Sequence, residues 1–133
     1  MTQIIQVSRY SQLKDIRREI NKDGFGLNIK DGKQFNKTQF IFGIYNQQMD
    51  QLVSIMYVHI CSNTNLATLA FSFTLKNHRE KGYASRLRKH AICFCKDMRC
   101  YKIISVPFEN ALSISGLEKS GFIKKGQYYE LYL

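Results

Sequence analysis

Proline occurs once in these 133 residues, and the 10 Asp and Glu number half of the 20 Lys and Arg. The lone Pro107 leaves no proline-rich linker, so one domain over residues 1–133 is expected, with 44% hydrophobic content enough for a moderate core. No apolar run approaches the roughly 18 residues of a membrane helix, so no membrane span is expected. The opening Met-Thr-Gln-Ile-Ile-Gln-Val has no basic stretch followed by a long apolar one, which points to a cytoplasmic rather than a secreted protein. Repeats and low-complexity segments are absent too. The cysteines Cys61, Cys93, Cys95 and Cys100 form no C-x-x-C pair, and no His stands at zinc spacing. They read as reduced, mostly buried small apolar residues, with no metal site.

Hydrophobic periodicity gives the elements. Gln3–Val7 reads as a strand. Ser11 is placed to cap a helix running to Asn21, with Leu13, Ile16 and Ile20 on its buried side and Gly24 as its stop. Asp23–Gln39 is polar and Gly-containing, a loop. Gln39–Tyr45, Leu52–Cys61 and Thr68–Leu75 read as strands. A helix follows with the apolar stripe Ala84, Leu87, Ala91, Phe94 and Met98, spaced for one face. Then come strand Lys102–Val106, a helix from Asn110 closed by Gly121, and strands around Phe122–Lys125 and Tyr128–Leu133. The order β-α-β-β-β-α-β-α-β-β predicts an α/β sandwich on a mostly antiparallel sheet.

The chemistry concentrates where Arg79-Glu80-Lys81-Gly82-Tyr83-Ala84 turns from a strand into a helix. A helix start leaves backbone N–H groups without partners and carries partial positive charge, which favours an anion such as a diphosphate. Gly82 lets the anion approach closely, and Ala84 leaves the first turn unobstructed. Between Lys76 and His90, six cations (Lys76, Arg79, Lys81, Arg86, Arg88, Lys89) face Glu80 alone, a local +5 out of the chain's net +10. Arg88 and Lys89 read as the exposed face of the helix; Lys76, Arg79 and Lys81 crowd the cradle itself.

Arg79, Gly82 and Ala84 match the pattern Gln/Arg-x-x-Gly-x-Gly/Ala. Downstream, Asn110 leads through a helix to Glu118-Lys119-Ser120-Gly121-Phe122, an E-K-x-G-F stretch. In these two motifs, over Ala67–Phe122, the chain resembles the GNAT superfamily of acetyl-CoA-dependent N-acetyltransferases. The resemblance implies a GNAT-like sandwich with a mixed, mostly antiparallel sheet of six to seven strands and three or four helices. It implies acetyl-CoA as co-substrate, with the diphosphate on Arg79, Glu80, Lys81, Gly82, Tyr83, Ala84 and Ser85. The pantetheine arm would pair with the backbone of Phe73, Thr74 and Leu75, and Asn110 would meet the thioester end. It further implies direct attack of a neutral amine on the acetyl group in a ternary complex, with an amide of Thr68–Leu75 stabilising the developing oxyanion.

The family usually places a Tyr one residue before E-K-x-G-F, to protonate the leaving thiolate, and this chain has Leu117 there. Tyr128, Tyr129 and Ser113 are alternative donors. Gly116 weakens its helix by about 1 kcal/mol relative to Ala, so local remodelling is expected. Glu109 is the first candidate base and His59 the second, against plainer readings as a loop carboxylate and a strand histidine. Tyr83 and Tyr101 are assigned to packing. The acceptor is an amine-bearing small molecule, peptide or protein, bound by a monomer or dimer. Two other functions stay open: a non-catalytic acyl-CoA-binding regulatory module, suggested by Leu117, and an RNA- or tRNA-directed acetyltransferase, suggested by the remaining positive charge. Phe35 and Phe40 beside Lys33 and Lys37 lend the latter slight support.

Overall fold

The computed structural model of the chain describes residues 1–22, 38–107 and 111–133. Strand β1 (Thr2–Val7) leads through a 3-10 turn (Tyr10–Leu13) into α1 (Lys14–Lys22). Strands β2 (Gln39–Asn46), β3 (Gln51–Cys61) and β4 (Leu66–Thr74) form a meander, followed by a 3-10 turn (Lys76–His78) and α2 (Tyr83–Asp97). Strand β5 (Lys102–Ser105), α3 (Ala111–Lys119), β6 (Ile123–Lys125) and β7 (Tyr128–Tyr132) complete the described elements. The order expected from periodicity is the order found. The strands lie as β1-β2-β3-β4-β5-β7-β6 in one seven-stranded sheet, antiparallel throughout except where β4 meets β5.

Both faces of this sheet are covered. Four consecutive residues of β2, from Ile41 to Ile44, are buried, which a strand open to water on one face would not allow. Ile41 joins Val7, Leu13, Ile16, Ile20 and Ile55 under α1. Phe42 joins Met56, Leu87, Ala91, Cys95 and Leu117 under α2 and α3. The apolar side expected for α1 is therefore the one buried. Its start differs, because the chain enters through a tighter turn one residue before Ser11. There the Gln12 side-chain oxygen accepts the Ser8 and Arg9 amides at 2.9 and 3.1 Å, leaving Ser11 exposed. The expected stop at Gly24 lies outside the described residues.

The stripe of α2 also differs at its end. Met98 is the residue after the last helical turn and is 45% exposed, and Cys95 closes the buried face instead. At α3, Gly121 has φ 96°, and the Phe122 and Gly121 amides donate to the Leu117 and Glu118 carbonyls at 3.1 and 3.0 Å. That is the Schellman arrangement, which needs a left-handed residue there.

Cys95 and Cys100 are buried, Cys61 is half-buried and Cys93 is exposed, so burial holds for two of the four cysteines. Burial, with Cys100 beside it, pushes the Cys95 thiol up from 9.0 to about 12. The folded protein thus keeps a proton that the unfolded chain releases, and stability must fall as pH rises from about 9 towards 12. Lys102 adds to the same fall, since its hydrogen bond to Glu130, 3.1 Å, raises its pKa and is lost on deprotonation. The urea midpoint is expected to drop across this window, and Cys95→Ala to make the drop shallower.

Candidate active site

The site begins where two strands part. β4 and β5 are paired only from Leu66 opposite Lys102 to Leu69 opposite Ser105. Beyond that point β5 ends, while β4 runs on to Thr74. A bulge marks the place: Tyr57 of β3 faces Phe71 and Val58 faces Leu69, so Ala70 has no partner across from it. Bulges bend a strand and free one residue's backbone, and the ladder between β4 and β5 ends at Leu69, the residue before Ala70. The Leu75 amide donates to the Val53 carbonyl at 2.9 Å. Strand alternation then turns the Phe73 backbone to β3 as well, and turns Ser72 and Thr74 to the edge that β5 has left. Of the expected arm-pairing residues, only Thr74 faces the open edge, Ser72 replaces Phe73 and Leu75, and the Thr74 carbonyl receives Arg79 Nε at 2.9 Å.

The turn between β4 and α2 is built by two left-handed residues, Glu80 with φ 64° and Gly82 with φ 77°. Helical structure stops at His78, Arg79 is extended, and α2 starts at Tyr83 with Gly82 as its N-cap. No side chain among the described residues caps this end, and its first turn holds no acidic residue. Among the described residues a Cβ at Gly82 would meet nothing within 4 Å, so there is open space beside the turn. Lys81, Gly82 and Ser85 are exposed, and Tyr83 and Ala84 half-buried. Arg79 lies back over the Phe73 ring at 5.5 Å, and Arg86 is tied to Thr2 Oγ1 at 3.0 Å with the Tyr83 ring 5.9 Å away. Uncapped donors, open space and neighbouring cations together fit a diphosphate.

Where the strands part there is a cavity of about 40 Å³. Its walls are β4 around Ala70 and Ser72, the end of β5 at Ser105, Met56, Leu117 of α3, and Arg88 of α2. The volume suits a small acyl head. Arg88, expected on the exposed face of α2, is only 8% exposed. It stands one turn beyond Ala84 and one residue beyond Leu87, on the side facing the sheet. Its Nη1 donates to the Gly116 carbonyl at 3.2 Å, and burial lowers its pKa. Among the described residues no carboxylate forms an ion pair with it. A Cβ on Gly116 would lie 2.9 Å from Arg88 Nη2. Gly116 therefore makes room for the guanidinium, and α3 runs through it as regular helix rather than being remodelled.

The remaining candidates are scattered. Leu117 is a buried cavity wall. Tyr129 is buried opposite Ser105, and Tyr128 is exposed. His59 sits half-buried on β3 opposite Thr68, outside the cavity lining. Tyr83 packs against the core as expected, whereas Tyr101, assigned to packing, is 48% exposed beside Lys102. Glu109, Asn110, Lys33, Phe35 and Lys37, and the side chain of Ser113, lie outside the described residues. Among those described, no three His, Cys, Asp or Glu could hold a metal, and no helix is long and apolar enough to cross a membrane. The one sequence signal for Arg88 is its place four residues after Ala84, which its charge outweighs; the Ala70 bulge has none.

The model of the acetyltransferase (GNAT) family matches residues 10–122. No curated protein matches the chain. Among solved structures, the ribosomal-protein-S18-alanine N-acetyltransferase from Escherichia coli superposes with a TM-score of 0.80 at 12% identity, over 99% of this chain and 94% of that one. A GNAT-family acetyltransferase from Staphylococcus aureus Mu50 gives 0.75 at 19% identity, over 100% and 99%. The PaiA N-acetyltransferase from Thermoplasma acidophilum, in complex with coenzyme A, gives 0.73 at 15%, over 100% and 99%. Identities this low speak for the fold, and the fold is the one that the motifs implied. With 10–122 covered by the family model, the chain belongs to the GNAT acetyltransferase family, whose acyl donor is acetyl-CoA.

Proposed function

We propose that the chain is a single-domain N-acetyltransferase that moves the acetyl group of acetyl-CoA to an amine by direct attack in a ternary complex. The observation that carries this reading is the alignment of three features along β4: the uncapped Gly82 turn, the open edge at Ser72 and Thr74, and the small cavity at Ala70. The amides of Gly82, Tyr83, Ala84 and Ser85, with Arg79 and Lys81, would hold the diphosphate. The open edge would align the arm, and the unpaired backbone of Ala70 would meet charge developing on the carbonyl oxygen. Glu109 is the proposed base, with His59 second, and Asn110 the proposed contact at the thioester end. The acceptor class is an amine of a small molecule, peptide or protein.

Calorimetric titration with acetyl-CoA tests the cradle, with micromolar affinity expected. Thiol release with a panel of amines tests turnover. Glu109→Gln is expected to lower kcat by about 10²–10⁴ with the KM for acetyl-CoA unchanged; an unchanged kcat would clear Glu109 of the base role. Leu117, which cannot donate a proton, favours one second reading, an acyl-CoA-binding module without catalysis. Micromolar binding with no amine-dependent thiol release would select it.

A further inference from the structure

We propose that Arg88 serves as the electrostatic partner of the leaving sulfur, taking over from α2 what a proton donor at position 117 of α3 would otherwise do. The inference rests on the reading of the Gly82 turn as the acetyl-CoA cradle. Arg88 follows Gly82 by six residues, about 9 Å along the helix axis. It is buried, faces the cavity where β4 and β5 part, and shares that cavity with Leu117. One of its donors meets the Gly116 carbonyl, and among the described residues no carboxylate neutralises it. A buried cation left in this state is costly unless an anionic group completes it. The cavity, about 40 Å³, has room for a few heavy atoms beside the guanidinium.

The leaving thiolate has the required charge and size. As the amine nitrogen bonds to the acetyl carbon, the carbon–sulfur bond breaks and its electron pair passes to sulfur. The proton of the amine goes to the base or solvent. Arginine keeps its proton, so Arg88 would act by charge and hydrogen bonding and not as an acid. Gly116 is then a positioning residue: any side chain there would push into the guanidinium.

The test titrates free-thiol CoA bound to the protein, following thiolate absorption in the ultraviolet against pH, with calorimetry in parallel. Bound to wild type, the CoA thiol is expected to ionise about one to three pH units below free CoA. Arg88→Met should abolish the shift and Arg88→Lys should retain part of it. Gly116→Ala, which keeps the charge but displaces it, should reduce the shift while CoA affinity stays within a few-fold. Should Arg88→Met not fold, the other two variants decide. CoA binding with the same thiol ionisation in all these proteins would overturn this inference alone. No binding heat with wild type would overturn the cradle reading and this inference with it.

Discussion

Gly82→Glu is expected to weaken acetyl-CoA binding at least about 100-fold, a loss of roughly 2.7 kcal/mol or more. Two effects act together. The new carboxylate stands at the only end of α2 where free amides attract an anion, and it would meet the diphosphate with like charge. The φ of 77° also puts any L side chain in the left-handed region, at a cost of about 1–2 kcal/mol. Steric conflict inside the protein is no part of the effect, since a Cβ there meets nothing within 4 Å. Gly82→Ala separates the contributions: it carries the strain without the charge and should lose less affinity. Calorimetry with each variant reads the difference, with thermal melts as the control for folding.

Phe42→Ala is expected to remove about 3–5 kcal/mol of folding stability. The ring is 1% exposed in the centre of β2, 4.8 Å from His90 and 4.9 Å from Phe94 between ring centroids, edge-on to both. It thus fastens α2, and with it the Gly82 turn, to the sheet. Against the roughly 5–15 kcal/mol that a domain possesses, the loss would remove between about a fifth and the whole. Urea denaturation measures it, and Ile123→Ala, at a side chain 64% exposed on β6, should change stability by no more than about 0.5 kcal/mol.

The order of elements and the place of the turn were legible from periodicity. Leu13, Ile16 and Ile20 announce a buried helix face because nothing but packing explains their spacing. Gly121 announces the close of α3, where a left-handed residue is needed, whereas the φ of 77° at Gly82 was not legible. What was not legible depends on partners distant in sequence. Arg88 carries a charge, and a charge reads as solvent-facing until α3 is seen to leave a gap for it at Gly116. The bulge at Ala70 arises from a register shift between β3 and β4, and no residue type in either strand encodes it. Which groups of β4 remain free follows from the same shift, so the choice of Ser72 over Phe73 and Leu75 needed the ladder itself. At the end of α2 the helix runs only to Asp97 and Arg99 turns left-handed, with φ 62°. Met98 thus falls outside the last turn on which the apolar stripe was counted.

In the proposed cradle the amides opening α2 hold the diphosphate of acetyl-CoA. Backbone amide chemical shifts recorded while CoA is added test it most directly. The largest displacements are expected at Gly82, Tyr83, Ala84 and Ser85, with smaller ones at Ser72 and Thr74. Saturating CoA that leaves those four amides unmoved, or that moves another surface instead, would contradict it.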